Sequence, residues 1–176
     1  MKFMKWILIA VGIFIVLILL LFLVGALISK KHTYVRSARL RQTPDAIFSL
    51  LADVENMPKW SRNVVAVEKL PSVDGHEATR QTLKGSSMPM TIVTTESVRP
   101  SHLVRTMGGD KHAFFVGSWT YDITPTTEGC QVQLREDAEI SMPIFRVLAK
   151  LFGATKYLDE HLLDIGAKFG ETPSIQ

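Results

Sequence analysis

The sequence predicts an α+β domain, built from an antiparallel sheet and a long C-terminal helix, behind one transmembrane helix. Three observations predict this class. An uncharged apolar run lies near the N-terminus, short strand-like segments separated by turn residues fill the middle, and one apolar stripe at helical spacing lies near the C-terminus. The chain has 176 residues, and the part after residue 32 is long enough for one compact domain.

The apolar run extends over residues 6–28 and contains no charged side chain. A helix of this length measures about 34 Å, enough to cross a bilayer core of about 30 Å. A cleavable signal peptide has a shorter apolar core followed by a small-residue cleavage site. Because this run lacks such a site, we favour an uncleaved membrane anchor over residues 1–32.

The basic pI of the chain comes from lysines that flank this run. After residue 32, 16 Lys and Arg stand against 17 Asp and Glu, which gives a net charge of −1. This balance argues against nucleic acid as a partner. The positive-inside count slightly favours a cytoplasmic domain in a single-pass protein of the cell membrane, but a long domain can be translocated regardless of its charge, so the side stays open.

Basic residues after the span are candidates for contact with the membrane surface. Lys30, Lys31 and Arg36 would each contribute about 1 kcal/mol of attraction to anionic headgroups if they lie near them. The alternative is that these charges serve only as ordinary topology signals.

The first elements of the domain are a strand and a short helix. Residues 34–42 are rich in Val, Tyr and alternating Arg, as in a strand. Thr43 can then cap a helix that has Pro44 at its first position and Asp45 in its first turn. Pro58 ends this amphipathic helix, and a second short helical turn is expected at residues 57–60.

Six further strands are predicted between short turns. Because short connections join antiparallel neighbours, the strands should form one meandering sheet. Their predicted ranges are 64–70, 78–84, 88–98, 102–107, 114–124 and 131–140.

The segment 143–169 predicts a single long helix. Its apolar residues recur at spacings of three, four or seven and form one stripe: Ile144, Leu148, Leu151, Leu158, Leu162, Ile165 and Phe169. Polar residues, Arg146 among them, occupy the other side. At about 37 Å the helix is expected to lie across the whole sheet.

In order and spacing the chain resembles the START/Bet v1-like (SRPBCC) superfamily, in particular its bacterial polyketide cyclase/dehydrase-like branch. The matching stretches run from Thr43-Pro44-Asp45-Ala46-Ile47-Phe48 to Pro58-Lys59-Trp60, then through Gly117-Ser118-Trp119-Thr120-Tyr121 to Tyr157-Leu158 and Leu162-Leu163. The resemblance covers residues 33–170 and leaves 171–176 as a tail. It implies a helix-grip fold, in which a curved seven-stranded antiparallel sheet grips the long C-terminal helix and two short helices follow the first strand.

The resemblance also implies an apolar cavity between sheet and helix, which in many relatives holds a lipid, polyketide, sterol or other hydrophobic ligand. Strand alternation supplies inward-facing candidates for its lining. The candidate residues are Trp60, Met90, Ile92, Phe115, Trp119, Tyr121, Leu134, Glu136, Leu151, Leu158 and Leu162. The alternative for such a face is a core filled by its own side chains. Trp60 could act as a gate over the cavity, and the alternative is that it packs at one end of the sheet.

Glu136 is the one charge expected on the inner face of the last strand. An unpaired buried carboxylate is costly, so it should lie near an open end or pair with an arginine such as Arg105 or Arg80. Glu96 shares the inward face of its own strand with Met90 and Ile92 in this interpretation. Because Glu96 and Glu136 would lie three strands apart, at roughly 14 Å, they do not form a catalytic carboxylate pair.

The sequence assigns no catalytic residue, metal ligand or cofactor. Its histidines are scattered, His161 being a packing or rim residue, and Walker, dinucleotide-binding and HExxH motifs are absent. The single Cys130 excludes an internal disulfide.

Three functions remain. The leading hypothesis is a membrane-anchored protein that binds a hydrophobic small molecule or lipid; the others are a cyclase-like or hydrolase-like enzyme that uses the same cavity, and an anchored protein-interaction module with a filled core.

Overall fold

The structure, a computed structural model, describes residues 2–86, 88–108, 115–151, 153 and 155–176. In chain order its elements are α1 (Lys2–Leu27), β1 (Lys31–Leu40), α2 (Pro44–Ala52), a 3₁₀ helix (Val54–Lys59), β2 (Val64–Val73), β3 (His76–Leu83), β4 (Met90–Val98), β5 (His102–Gly108), β6 (Phe115–Thr126), β7 (Gly129–Ile140), α3 (Pro143–Leu151) and α4 (Lys156–Lys168).

Helix α1 is long and apolar enough over Met4–Leu27 to cross a membrane. Its apolar side chains are exposed because the helix extends away from the domain instead of packing into its core. The next strand begins only a few residues later, at Lys31. This is two residues before the predicted start of the domain, because Lys31 and His32 already pair with Glu139 and Ala138 of β7.

The seven strands form one antiparallel sheet in the order β1-β7-β6-β5-β4-β3-β2. Strands β2 to β7 are neighbours in chain order, as the short turns predicted, whereas β1 crosses over to pair with β7. This is the predicted helix-grip arrangement.

Alternation along the strands separates a buried face from an outer face. In β7 the even-numbered residues from Cys130 to Ile140 are buried, Glu136 included. Helices α2 and α4 cover this face and contribute Ile47, Leu51, Leu158 and Leu162 to the main hydrophobic core. The inward faces predicted for β6 and β7 are therefore confirmed.

Helix α2 begins as its sequence predicts. Thr43 accepts a hydrogen bond from the backbone N–H of Ala46 at 3.2 Å, and Pro44 occupies the first turn. The cap satisfies one of the N–H groups that have no partner within the helix.

The expectation of one continuous C-terminal helix is wrong, because the segment forms two helices, α3 and α4. Gly153 lies between them with a φ of +87°. Such a left-handed conformation ends a helix and favours glycine. The sequence pattern does not reveal this break, because the spacing of seven between Leu151 and Leu158 is compatible with one continuous helix as well as with two. Helix α4 alone is about 20 Å long.

Arg146 was expected on the polar side of that helix, but it is buried and joins α3 to α1. Its guanidinium donates hydrogen bonds to the carbonyls of Gly25 and Ile28 at the end of α1, and to those of Ile140 and Ser141 at the end of β7. Four carbonyl acceptors explain how the charge is accommodated away from water.

Glu96 does not face inward, contrary to expectation. The register between β4 and β5 shifts between Thr94 and Glu96, as in a β-bulge. Because a bulge adds a residue, the alternation reverses from that point. The Glu96 side chain is accordingly exposed and lies 3.3 Å from His102 at the sheet surface.

The C-terminal tail is part of the fold. Ile175 forms a β-bridge with Ala38, and the backbone groups of Gln176 and Ser37 exchange two hydrogen bonds of 2.9 Å. The tail thereby covers the outer edge of β1, which would otherwise present unpaired backbone groups to other chains.

Candidate functional site

A pocket of about 310 Å³ lies between the sheet and the C-terminal helices. Its lining includes His32 near the start of β1, Ile140 at the end of β7 and Ala149 of α3, the helix that contacts α1. Its lining comes from six strands, both C-terminal helices and the glycine between them: His32, Tyr34, Leu83, Met90, Met107, Phe115, Trp119, Glu136, Ile140, Ala149, Gly153 and Tyr157.

The pocket is apolar apart from a few polar groups. Met90 and Met107 supply adaptable side chains, and Phe115, Trp119 and Tyr157 supply aromatic surface. The Trp119 and Tyr157 rings lie 5.8 Å apart between centroids. An apolar wall with a small number of placed polar groups is the usual composition of a small-molecule site.

Glu136 is the buried charge within this lining. One carboxylate oxygen accepts a hydrogen bond from Trp119 Nε1 at 2.8 Å, and the other lies 3.4 Å from Nε2 of His32. The expected arginine partner is therefore wrong, and an indole N–H and an imidazole take its place. The pairing is possible because β1 and β6 lie on either side of β7, with Tyr34 and Trp119 directly opposite Glu136.

Of the eleven candidate lining residues, Met90, Phe115, Trp119 and Glu136 border the pocket. A second group is fully packed in the core next to it: Ile92, Tyr121, Leu134, Leu158 and Leu162. Trp60 packs its ring 5.4 Å from that of His161. Leu151 is 70% exposed at the end of α3, because the helix break turns it away from the sheet.

The pocket residues that sequence reasoning missed fall into three groups. Leu83, Met107 and Ile140 lie at or near the ends of β3, β5 and β7. His32 and Tyr34 share the inward parity of β1, a signal that was available, but His32 had been assigned to the anchor. Ala149, Gly153 and Tyr157 reach the pocket only because the terminal helix is broken, which its periodicity does not reveal.

The candidate membrane-surface residues differ in their surroundings. Lys30 and Lys31 are exposed beside the end of α1. Arg36 instead contacts the start of α4, donating to Asp159 at 2.9 Å and to Thr155 at 3.0 Å.

Behind the pocket, a cluster of polar side chains lies on the same inner face of the sheet. Arg105 is only 2% exposed, and it donates to the carbonyl of Leu51 and lies over the ring of Tyr121 at 5.9 Å. The Tyr121 hydroxyl lies 3.1 Å from His161 Nε2. Burial, and secondarily the Arg105 charge, lowers the pKa of His161 to about 3, so this imidazole is neutral at physiological pH.

Several nitrogens of this cluster have no hydrogen-bond partner among the described residues. They are Nε and Nη1 of Arg105, Nδ1 of His161 and Nε1 of Trp60. Buried polar groups are nearly always paired in native proteins, so this group of donors is unusual. Sequence reasoning weighed Arg105 only as a partner for Glu136.

A second, larger depression of about 860 Å³ lies near the other end of β1. Arg39, Arg41, Glu128 and Glu171 give it a charged lining, and the C-terminal tail forms one wall. Its chemistry does not suit a hydrophobic ligand.

Comparison with solved structures shows a shared fold. The di-domain ARO/CYC protein StfQ from the steffimycin biosynthetic pathway is 13% identical with a TM-score of 0.65, over 78% of this chain and 50% of StfQ. Truncated norcoclaurine synthase from Thalictrum flavum is 13% identical with a TM-score of 0.63, over 82% of this chain and 97% of the synthase. A START superfamily protein from Mycobacterium smegmatis is 15% identical with a TM-score of 0.51, over 73% of this chain and 93% of that protein. This chain spans about half the length of StfQ.

No curated protein matches the sequence. Residues 31–162 match the family model described as polyketide cyclase / dehydrase and lipid transport. The match begins at β1 and extends into α4, so it includes the whole sheet and every pocket residue. The chain therefore belongs to the polyketide cyclase/dehydrase and lipid transport family, and it shares its fold with the three solved structures named above.

Proposed function

We propose that the protein binds a hydrophobic small molecule or lipid in the pocket between its sheet and C-terminal helices, while α1 anchors it in the cell membrane as a single-pass protein. The observation that carries this proposal is the apolar pocket of about 310 Å³. Membership of the family supports a role in hydrophobic-ligand binding or in cyclase chemistry.

The size and lining of the pocket support a small-molecule ligand. Pockets for small molecules usually measure about 300 to 1,000 Å³, so this one suits a compact ligand or part of a longer one. An interaction module with a filled core would have no such space. Phe115, Trp119 and Tyr157 offer ring surface for an apolar ligand, and Glu136 offers a polar contact.

The position of the pocket supports a membrane-derived ligand. His32 and Ile140 of its lining lie near the start of β1 and at the end of β7, and the exposed Lys30 and Lys31 directly precede His32 in the chain. A lipid-like ligand concentrates in the bilayer, and tethering raises the effective concentration at which the pocket meets it. The charge count around α1 slightly favours a cytoplasmic position for the domain.

The test is mass spectrometry of what co-purifies with the full chain. Wild type should carry the same apolar compound across preparations. Ala149→Phe, which fills the pocket wall, should lose it, whereas Ala167→Phe, which adds the same ring to the exposed side of α4, should keep it. An empty wild-type protein, or equal loading of both variants, contradicts the proposal.

The pairing of His32 with Glu136 favours a second candidate, a cyclase-like or hydrolase-like enzyme that uses the same pocket. A carboxylate beside an imidazole within an apolar site can transfer a proton to or from a bound molecule. If so, the compound that co-purifies should be converted by wild type and not by Glu136→Gln, while both proteins keep the same melting temperature within a few degrees. Conversion by Glu136→Gln at the wild-type rate contradicts this candidate.

A further inference from the structure

Arg105 forms no ion pair with any of the described residues. Its guanidinium donates to the carbonyl of Leu51 and interacts with the Tyr121 side chain, whereas its Nε and Nη1 have no hydrogen-bond partner within the described part of the chain. A buried cation without a counter-charge is costly. The protein therefore holds at 2% exposure a charge that its described residues do not neutralise.

The buried carboxylates nearby are already engaged. Glu136 accepts from Trp119 and lies beside His32. Asp164 accepts from the backbone and side chain of Arg62 at 2.7 Å. Neither forms a hydrogen bond or ion pair with Arg105 among the described residues.

The strand register places Arg105 beside two residues that line the pocket, although Arg105 is not itself part of that lining. Arg105 and Met107 lie two residues apart on β5 and so share one face, at a spacing of about 7 Å. Met107 lines the pocket, and so does Trp119, which is directly opposite Arg105 on β6. Arg105 is thus the next inward-facing residue of β5 after Met107, on the side away from the end of that strand.

Further polar groups surround Arg105. The Tyr121 ring lies against both Arg105 and His161, and the Trp60 ring against His161. When the Tyr121 hydroxyl donates to Nε2 of the neutral His161, the imidazole proton is on Nδ1, which has no partner. The cluster is therefore rich in unused donors and poor in acceptors.

We propose that Arg105 is the polar end of the ligand site and binds a carboxylate of a ligand whose apolar body occupies the pocket. This inference rests on the proposed function and narrows it to amphiphilic acids. A ligand carboxylate would supply the negative charge and the acceptors that the cluster lacks, and a charge-assisted hydrogen bond to arginine is among the stronger polar contacts.

Octanoate and octan-1-ol test the proposal, because they share an eight-carbon chain and differ in the head group. Binding to the full chain in lipid nanodiscs is measured by calorimetry, with empty nanodiscs as the reference for partitioning. Wild type should bind octanoate about tenfold or more tightly than octan-1-ol. Arg105→Met should lose this preference, and Arg105→Lys should retain part of it, whereas Arg80→Met, at an exposed arginine of β3, should leave it unchanged.

The wild-type comparison needs no variant, so the proposal stays testable if Arg105→Met does not fold. Equal binding of the two probes, tighter binding of the alcohol, or an undiminished preference in folded Arg105→Met overturns it. Acetate binding as tightly as octanoate also overturns it, since the apolar body would then play no part. If neither probe binds while an apolar compound still co-purifies, the carboxylate inference fails and the proposed function stands. If nothing co-purifies either, both fail.

Discussion

His161 is an ionisable side chain that folding holds in its neutral form. Burial and then Arg105 lower its pKa from 6.5 to about 3. Between these values the unfolded chain binds a proton that the folded chain does not, so the free energy of unfolding must fall as the pH falls from 6.5 towards 3. The slope from this one group approaches about 1.4 kcal/mol per pH unit.

The variant His161→Gln should flatten this dependence. We expect the free energy of unfolding, measured by urea titration between pH 6.5 and 5, to fall less steeply in the variant than in wild type. Most carboxylates stay ionised in this range, so the difference in slope reports His161. Parallel slopes in the two proteins would show that the imidazole is protonated in the folded state.

Thr43 illustrates a residue whose role is evident from sequence. Its side chain caps α2, and Thr43→Ala should lower the free energy of unfolding by about 1 kcal/mol. Thr43→Ser keeps the hydroxyl, so it should lower the free energy of unfolding by less than half as much as Thr43→Ala does. A loss of equal size in both variants, by the same urea titration, would exclude the hydrogen bond as its cause.

Arg105 illustrates the opposite case. Residue type and spacing suggested a partner for Glu136, and strand alternation alone could not show that Trp119 and His32 take that position. Which side chains meet depends on their lengths and rotamers on three neighbouring strands. The alternation of residues along the sequence does not contain that information.

At the scale of elements, the contact between α1 and α3 depends on a glycine. A Cβ at Gly25 would lie 2.1 Å from the carbonyl oxygen of Pro143, whereas one at Gly12 would meet nothing within 4 Å. We expect Gly25→Leu to separate the two helices and to speed amide hydrogen exchange in α3. Gly12→Leu adds the same side chain to α1 and serves as the control.

Unchanged exchange in Gly25→Leu would show that α3 holds its position without α1. Faster exchange in both variants would point to a general disturbance of α1 and would equally contradict the role assigned to Gly25. The exchange of α2, which is remote from α1, provides an internal reference.

The elements also show which patterns a sequence can resolve. Alternation in β6 and β7 predicted the faces of those strands, and Thr43-Pro44 predicted the start of α2, because each depends on local chemistry. The break at Gly153 was missed because an apolar spacing of seven is compatible with one helix or two. The bulge at Glu96 was missed because it arises from pairing with β5.

For the whole molecule, the membrane anchor is the feature that fractionation tests most directly. The full chain should stay in the membrane pellet after an alkaline carbonate wash, because α1 exposes an apolar surface of bilayer length. A chain of residues 29–176 should move to the supernatant. A full chain released by carbonate would show that α1 does not span the bilayer.

The architecture of the whole chain was predictable and the outline of its pocket was not. Order and spacing of the elements predicted seven antiparallel strands and a helix-covered face, since short turns and apolar periodicity determine them. The pocket lies in the space that these elements leave between them. Its shape depends on the break between α3 and α4 and on the start of β1, which places His32 in the lining. Four of the proposed residues border it, and the remainder pack beside it or lie outside.

The Arg146 guanidinium joins α3 to the end of α1 through the carbonyls of Gly25 and Ile28. The apolar part of α1, Met4–Leu27, measures about 36 Å, longer than a bilayer core of about 30 Å, and such a mismatch is relieved by tilting. If α1 spans a bilayer as proposed, its tilt would be transmitted through α3 to Ala149, which lines the pocket. The thickness of the surrounding bilayer would then affect one wall of the proposed ligand site.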